Sequence, residues 1–277
     1  MIPLFRTELV KAARRSRTLV MLAGLAGLTI VISLAVHSRG DRRPERGDGL
    51  FALARQSGLV VPAAMLAVMS GFLLVIVAGM IAGDSVAGDS SSGNLRYLLI
   101  RPVSRTKVLL AKGLVAGFLI WCATAVVALA GLVAGSLLFG WKALDVPAVT
   151  GGAVLSSFHL STSVLVARLG VATAYVAFGF SALLGIGMYV STTTDVPAGA
   201  VGGTVGAYIV SEILDSITDL GRIRYVLPTH YQSAWETLFT KNVWSQDLVA
   251  GLLVQCAYLA VFGGLAVVWF NRKDIRT

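Results

Sequence analysis

The sequence predicts an all-α integral membrane protein, with six transmembrane helices led in by an amphipathic helix at the membrane interface. Three observations carry that prediction. Of 277 residues, 56% are hydrophobic and 13% charged, against about 25% charged in an ordinary soluble domain. The apolar residues gather into runs of roughly 19 or more, long enough at ~1.5 Å per residue to cross a ~30 Å hydrocarbon core. Glycine accounts for 30 residues, a composition that lets helices approach closely in lipid. These counts exclude a disordered chain, a coiled coil and a typical soluble enzyme.

Residues 1–17 place Ile2, Phe5, Leu9 and Ala12 or Ala13 at helical spacing, with Arg6, Lys11, Arg14, Arg15 and Arg17 between them. A basic amphipathic helix of this kind lies in the interface, its cations near anionic headgroups. Spans follow at 18–36, 59–83, 108–140, 169–194, 196–214 and 248–270. The first is too long for the ~7–15-residue apolar region of a signal peptide. The second has Pro62 near its start, and the third is long enough to tilt or to project beyond the bilayer. The fifth is short, opened by Pro197 and loosened by Gly199, Gly202, Gly203 and Gly206. Segment 146–165 is apolar but interrupted by Pro147, Gly151, Gly152 and hydroxyls, and it reads as a partly re-entrant or interfacial prelude to the fourth span. The whole chain, 1–277, forms one transmembrane domain; the longest polar stretch, 215–247, is too short for a core of its own.

The net charge of +9 sits in bases that flank apolar runs, so it controls topology and does not point to nucleic acid. With both termini in the cytoplasm, 13 Lys and Arg lie inside against 10 outside, which obeys the positive-inside bias. The expectation is a multi-pass protein of the cell (plasma) membrane, surrounded by membrane lipid. Cys122 and Cys256 lie within apolar runs and read as packing thiols.

Catalytic chemistry has no support in the residues. No HExxH, CxxC or carboxylate–His cluster occurs, and His37, His159 and His230 are scattered. Gly83 to Ser90 has the glycine spacing of a phosphate loop, but Asp89 stands where the lysine belongs and repels phosphate. Four of the spans have no ionisable group in their interiors, and such groups are what ion-coupled transporters keep at the midplane. Arg168 and Glu212 fall near outer span ends, where snorkelling accounts for them. A transporter-like body without an energy source points to energy delivered through a partner at the inner surface.

The inner loop between the second and third spans, 84–107, reads DSVAGDSSSGNLRYLLIRPVSRTK. Leu95, Leu98 and Leu99 share one face of a short helix, Asp89 to Asn94 supply capping types before it, and Pro102 stops it. This loop resembles that of the ABC type-2 transporter permeases, through Asp89, Gly93-Asn94, Leu95, Leu98-Leu99, Pro102-Val103-Ser104-Arg105 and Lys112. Asp replaces the more usual Glu, and Asn94 the more usual Thr. The basic start with Glu8 and Lys11 is similar to the family's elbow helix, and Leu227-Pro228-Thr229-His230-Tyr231 to its outer portion.

The resemblance implies that the inner loop is a cytoplasmic coupling helix docking on a separate ATP-binding subunit. Asp89, Gly93, Asn94, Leu95, Arg96, Leu98, Leu99, Pro102 and Arg105 are then the docking residues. The working unit has two ATP-binding subunits and a second permease subunit, identical or related. ATP and Mg are bound by the partner, with no cofactor and no catalytic residue in this chain. The family analogy favours export. A substrate path lined by uncharged groups such as Thr124, Tyr175, Tyr189, Thr204 and Tyr208 fits an amphipathic or lipid-like cargo. Two other function classes stay open at this point: a non-transporting membrane anchor or receptor for cytosolic partners, and an intramembrane enzyme. The enzyme lacks a nucleophile or paired acids within the membrane; an ATP-binding subunit encoded beside the gene discriminates against both.

Overall fold

A computed structural model describes residues 2–38, 49–93, 104–150, 153–240 and 245–273. In chain order the helices are α1 (Ile2–Ala13), α2 (Ser16–Ser38), α3 (Gly49–Gln56), α4 (Val61–Gly71), α5 (Leu73–Ser91) and α6 (Arg105–Phe139). A hairpin of β1 (Leu144–Thr150) and β2 (Ala153–Leu160) follows, then α7 (Thr162–Gly179), α8 (Ser181–Thr193), α9 (Pro197–Ser216) and α10 (Gln246–Arg272). Two 3-10 stretches, Thr218–Val226 and Ala234–Phe239, join α9 to α10.

Among the described residues, five helical stretches are long and apolar enough to cross a membrane: Ser16–Ser38, Leu73–Ser91, Arg105–Phe139, Thr162–Thr193 and Gln246–Arg272. The protein is a multi-pass membrane protein. α9 has 20 residues, but glycines and Glu212 leave it less apolar than these five. α5 is the most buried of the five and packs against α6, α8 and α9, whereas α2 and α10 are the least buried. The exposed sides of α2, α6 and α10 carry rows of large apolar residues such as Val31, Phe118, Leu137 and Leu253, as lipid solvation requires.

Local chemistry explains most boundaries. Pro62 and Pro197 stand in the first turns of α4 and α9, where no intrahelical donor is lost. Gly140, at φ +75°, ends α6, whose 35 residues reach about 52 Å. The core lies between α4, α5, α6 and α7, around Met65, Leu66, Leu74, Val127 and Val176. Gly131 lets α6 meet α4 there, since a Cβ on it would stand 2.9 Å from the Pro62 Cα.

Three segments depart from the sequence reading. The second span breaks at Phe72, which leaves helical geometry (φ −143°, ψ −61°) and separates α4 from α5. α5 then runs to Ser91, so residues 84–91 are helical where a loop is expected. The sequence alone does not reveal that Asp84 and Asp89 have cations to neutralise them on the helix. The fourth span breaks at Phe180, between α7 and α8. Buried Gln255 of α10 accepts a hydrogen bond from the Ala182 N–H at 2.8 Å and donates one to the Pro228 carbonyl at 2.8 Å. Freed backbone groups inside a bundle need such partners. Segment 146–165, expected as a partly re-entrant or interfacial prelude, is mostly an antiparallel hairpin pairing Leu144 with Leu160, with an irregularity at Ala148/Val149. Cys256, expected to be buried, is exposed on α10.

Candidate functional site

Two ends of the bundle can be told apart by their contacts. At one end α1, the C-terminal ends of α5, α8 and α10, and the first turns of α6 and α9 come together. At the other end lie the hairpin, the start of α4 and the 3-10 stretches; Ser57 donates to the Lys142 carbonyl there, and Arg168 to the Leu238 carbonyl at 2.7 Å.

The α1 end is built around one carboxylate. Asp89, in the last turn of α5, is 1% exposed. Lys11 of α1 reaches its Oδ1 at 2.7 Å and Arg15 at 3.1 Å, while buried Lys112 of α6 bonds its Oδ2. Lys112 also pairs with Glu8 of α1 at 3.2 Å. One turn earlier on α5, Asp84 receives Arg15 and Arg17, each at 3.3 Å. Of the bases in residues 1–17, expected at lipid headgroups, Lys11 of α1, Arg15 between the helices and Arg17 at the start of α2 are turned onto α5. These groups wall a recess of about 590 Å³, counted to its open mouth, in which the charges largely neutralise one another. Breaking a buried pair by deleting one partner costs ~3–5 kcal/mol, so the clamp fixes α5 and α6, the two roots of the intervening loop, to α1.

A second set of bonds ties the same end to the C-terminus. Arg105 donates to the carbonyls of Asn271 and Lys273, at 3.4 and 2.8 Å. Lys273 pairs with Asp195 at 2.7 Å, and Ser90 donates to the same carboxylate at 2.7 Å. These two donors, Lys273 first, hold the Asp195 carboxyl below its ordinary range.

The residues predicted to dock a partner are distributed as follows. Asp89 is turned inward into the clamp, and Arg105 faces the end of α10. Gly93 adopts φ +71° just past the end of α5, a left-handed turn that suits glycine. Asn94, Leu95, Arg96, Leu98, Leu99 and Pro102 lie outside the described residues. The sequence offered a signal for the clamp that composition arguments missed: Lys112 falls inside the start of the third span, where a charge needs a counter-charge.

The five path candidates do not share one cavity. Thr124 and Thr204 are buried and donate within their own helices, to Ile120 and Ala200 carbonyls. Tyr175 donates to the Tyr231 carbonyl at 3.1 Å, and Tyr189 meets Phe262 ring to ring. Tyr208 differs. It lines a recess of about 220 Å³ between α5 and α9, together with Phe72, Val75, Val205 and Glu212. Near the α1 end, Gly83 lets α9 so close that a Cβ would stand 2.8 Å from the Val201 nitrogen. Toward the recess Val75 and Ile76 take the place of the glycines, and the chain leaves helical geometry at Phe72.

Comparison with known proteins agrees with this architecture. The sequence profile of an ABC-2 family transporter protein matches residues 4–194, from α1 through α8. No curated protein matches the chain.

Proposed function

The chain belongs to the ABC-2 family of transporter proteins as a membrane permease component, and we propose that it is an exporter subunit driven by a separate ATP-binding subunit docking on the loop between α5 and α6. Two such ATPases and a second permease, the same chain or a related one, complete the working unit, and ATP and Mg²⁺ bind to the ATPases. The six spans are α2, α4–α5, α6, α7–α8, α9 and α10, with α1 as the elbow and both termini in the cytoplasm of a plasma-membrane protein.

The observation that carries this reading is the clamp at the loop's two roots. A lever needs a stiff base, and the Asp89–Lys112 pair joins the end of α5 to the start of α6 while Lys11 and Glu8 bind both to α1. α6 then runs 35 residues from that base across the bundle, long enough to carry a displacement at the loop to the far side. Leu95, Leu98 and Leu99 form the apolar foot, with Arg96 setting its register.

The test is recovery of the tagged chain from its native membrane in mild detergent, with identification of what accompanies it. A stoichiometric ATP-binding subunit is expected. Leu98→Asp combined with Leu99→Asp is expected to remove it and abolish transport while the permease stays inserted. Recovery of other cytosolic proteins without an ATPase would favour the anchor reading instead.

A further inference from the structure

The recess between α5 and α9 has a chemistry that its own residues leave incomplete. Tyr208 is 6% exposed, and its hydroxyl is buried without a hydrogen-bond partner. A buried hydroxyl left unpaired costs roughly 1–3 kcal/mol. The Glu212 carboxylate, one turn on, acts on it electrostatically and is within reach as an acceptor, although the two do not meet in hydrogen-bond geometry. Glu212 is exposed, on a surface of α9 whose neighbours Ile209, Val210 and Ile213 are also exposed and apolar. Among the described residues no cation pairs with it. The next acid on the helix makes the contrast: Asp215 has Arg224 Nε at 3.3 Å and His230 Nδ1 at 2.6 Å. A carboxylate set among apolar side chains without a counter-charge is costly.

The rest of the recess is apolar. Val75 and Ile76 form one wall, Val205 and Ile209 the other. Phe72, 66% exposed at the helix break, stands at the rim, where an aromatic face attracts cations.

We propose that this recess binds a cationic amphiphile, an organic ammonium or iminium with an apolar body, whose charged head pairs with Glu212 and donates to Tyr208. The assignment deepens the permease reading and rests on it for the word substrate; the binding itself stands on the recess alone. Charge complementarity selects this occupant: an apolar body fills the groove between α5 and α9, and a cationic head supplies the counter-charge that Glu212 lacks among the described residues. An anion would meet Glu212 with repulsion, and a neutral lipid chain would leave both groups as they are.

The experiment uses the full chain in phosphatidylcholine nanodiscs without any ATPase, so its outcome is independent of whether an ATP-binding partner exists. Rhodamine 6G is the cationic probe and 8-anilinonaphthalene-1-sulfonate the anionic one, each read by fluorescence anisotropy above empty discs. Saturable rhodamine 6G binding is expected. Glu212→Gln weakens it at least tenfold, Tyr208→Phe about threefold, and Glu212→Asp restores most of it. The anionic probe is insensitive to all three. Size-exclusion elution and melting temperature, unchanged in Glu212→Gln, show that the loss is not unfolding. Absence of saturable binding to the wild-type chain overturns the proposal, as does equal binding by Glu212→Gln or equal competition by the anion. Unchanged dye binding with loss of a dimer peak in Glu212→Gln also overturns it, and assigns Glu212 to a contact between two copies.

Discussion

Asp89 and Glu212 sit on helices that pack along each other, yet the fold treats their carboxylates in opposite ways. Asp89, at the α1 end of α5, collects Lys11, Arg15 and Lys112 and disappears from the surface. Glu212, toward the far end of α9, has no cation among the described residues and stands at the mouth of an apolar recess. The first arrangement spends charge on rigidity, because several charges in register fix three helices at once. The second leaves charge available, which suits a group that must accept and release a cation. The α1 end is therefore a fixed support and the far end of the α5–α9 seam a place where something else completes the chemistry.

The largest effect follows from breaking the support. Asp89→Ala leaves Lys112 buried without its closest partner and is expected to destabilise the protein by ~3–5 kcal/mol, read as a lowered melting temperature in nanodiscs. Replacing the pair together, Asp89→Leu with Lys112→Met, removes the stranded charge and recovers most of that loss, since a packed apolar pair often matches a buried ion pair. A double variant as unstable as the single one would mean that Glu8, Lys11 and Arg15 carry the clamp without Lys112.

The seam itself gives the middle-sized effect. Gly83 sets how closely α5 and α9 meet, with the Val201 backbone in the way of any Cβ. Gly83→Leu is expected to cost ~1–3 kcal/mol as an overpacked contact, and it pushes apart the two walls of the recess further along. Rhodamine 6G binding falls in this variant even though no recess residue has changed. Unaltered binding with reduced stability would show that the recess is shaped by the break at Phe72 alone.

Much of the helical body was legible because lipid imposes a simple rule: apolar runs of sufficient length become helices. Pro62 and Pro197 marked helix starts for the reason that makes proline acceptable there. The breaks at Phe72 and Phe180 were hidden, since neither proline nor a polar cluster announces them. The second depends on Gln255, 75 residues away in sequence, which takes the Ala182 N–H. The hairpin of β1 and β2 was hidden by Pro147 and two glycines, which read equally well as an irregular membrane segment. The loop resemblance grouped Asp89 with the docking residues, whereas the structure buries it in the clamp. Its three counter-charges, Lys11 of α1, Arg15 just after it and Lys112 of α6, come from elsewhere in the chain, and a local motif cannot show a partner supplied by distant sequence. The recess escaped because Tyr208 and Glu212 gain their meaning from Phe72 and Val75 on another helix.

The smallest effect concerns a carboxylate intermediate between the two. Asp195 lies in the short connection between α8 and α9, with Lys273 and Ser90 both donating to it. Its side chain is 63% exposed, so water screens the pair and its worth is that of a surface ion pair, below about 1 kcal/mol. The sign is nonetheless fixed. A carboxyl held below its unfolded value stabilises the fold at neutral pH, and that contribution fades as acid protonates it, from about pH 5 downward. Asp195→Asn should therefore lower the melting temperature slightly at pH 7 and by less at pH 3, the two curves converging as the pH falls through the lowered folded-state value. A gap that stayed constant with pH would mean that the asparagine alters the turn into α9 through its shape and not through lost charge. If the curves do converge, three acids along the α5–α9 seam form a graded series: sealed at Asp89, screened at Asp195, and open to a ligand at Glu212.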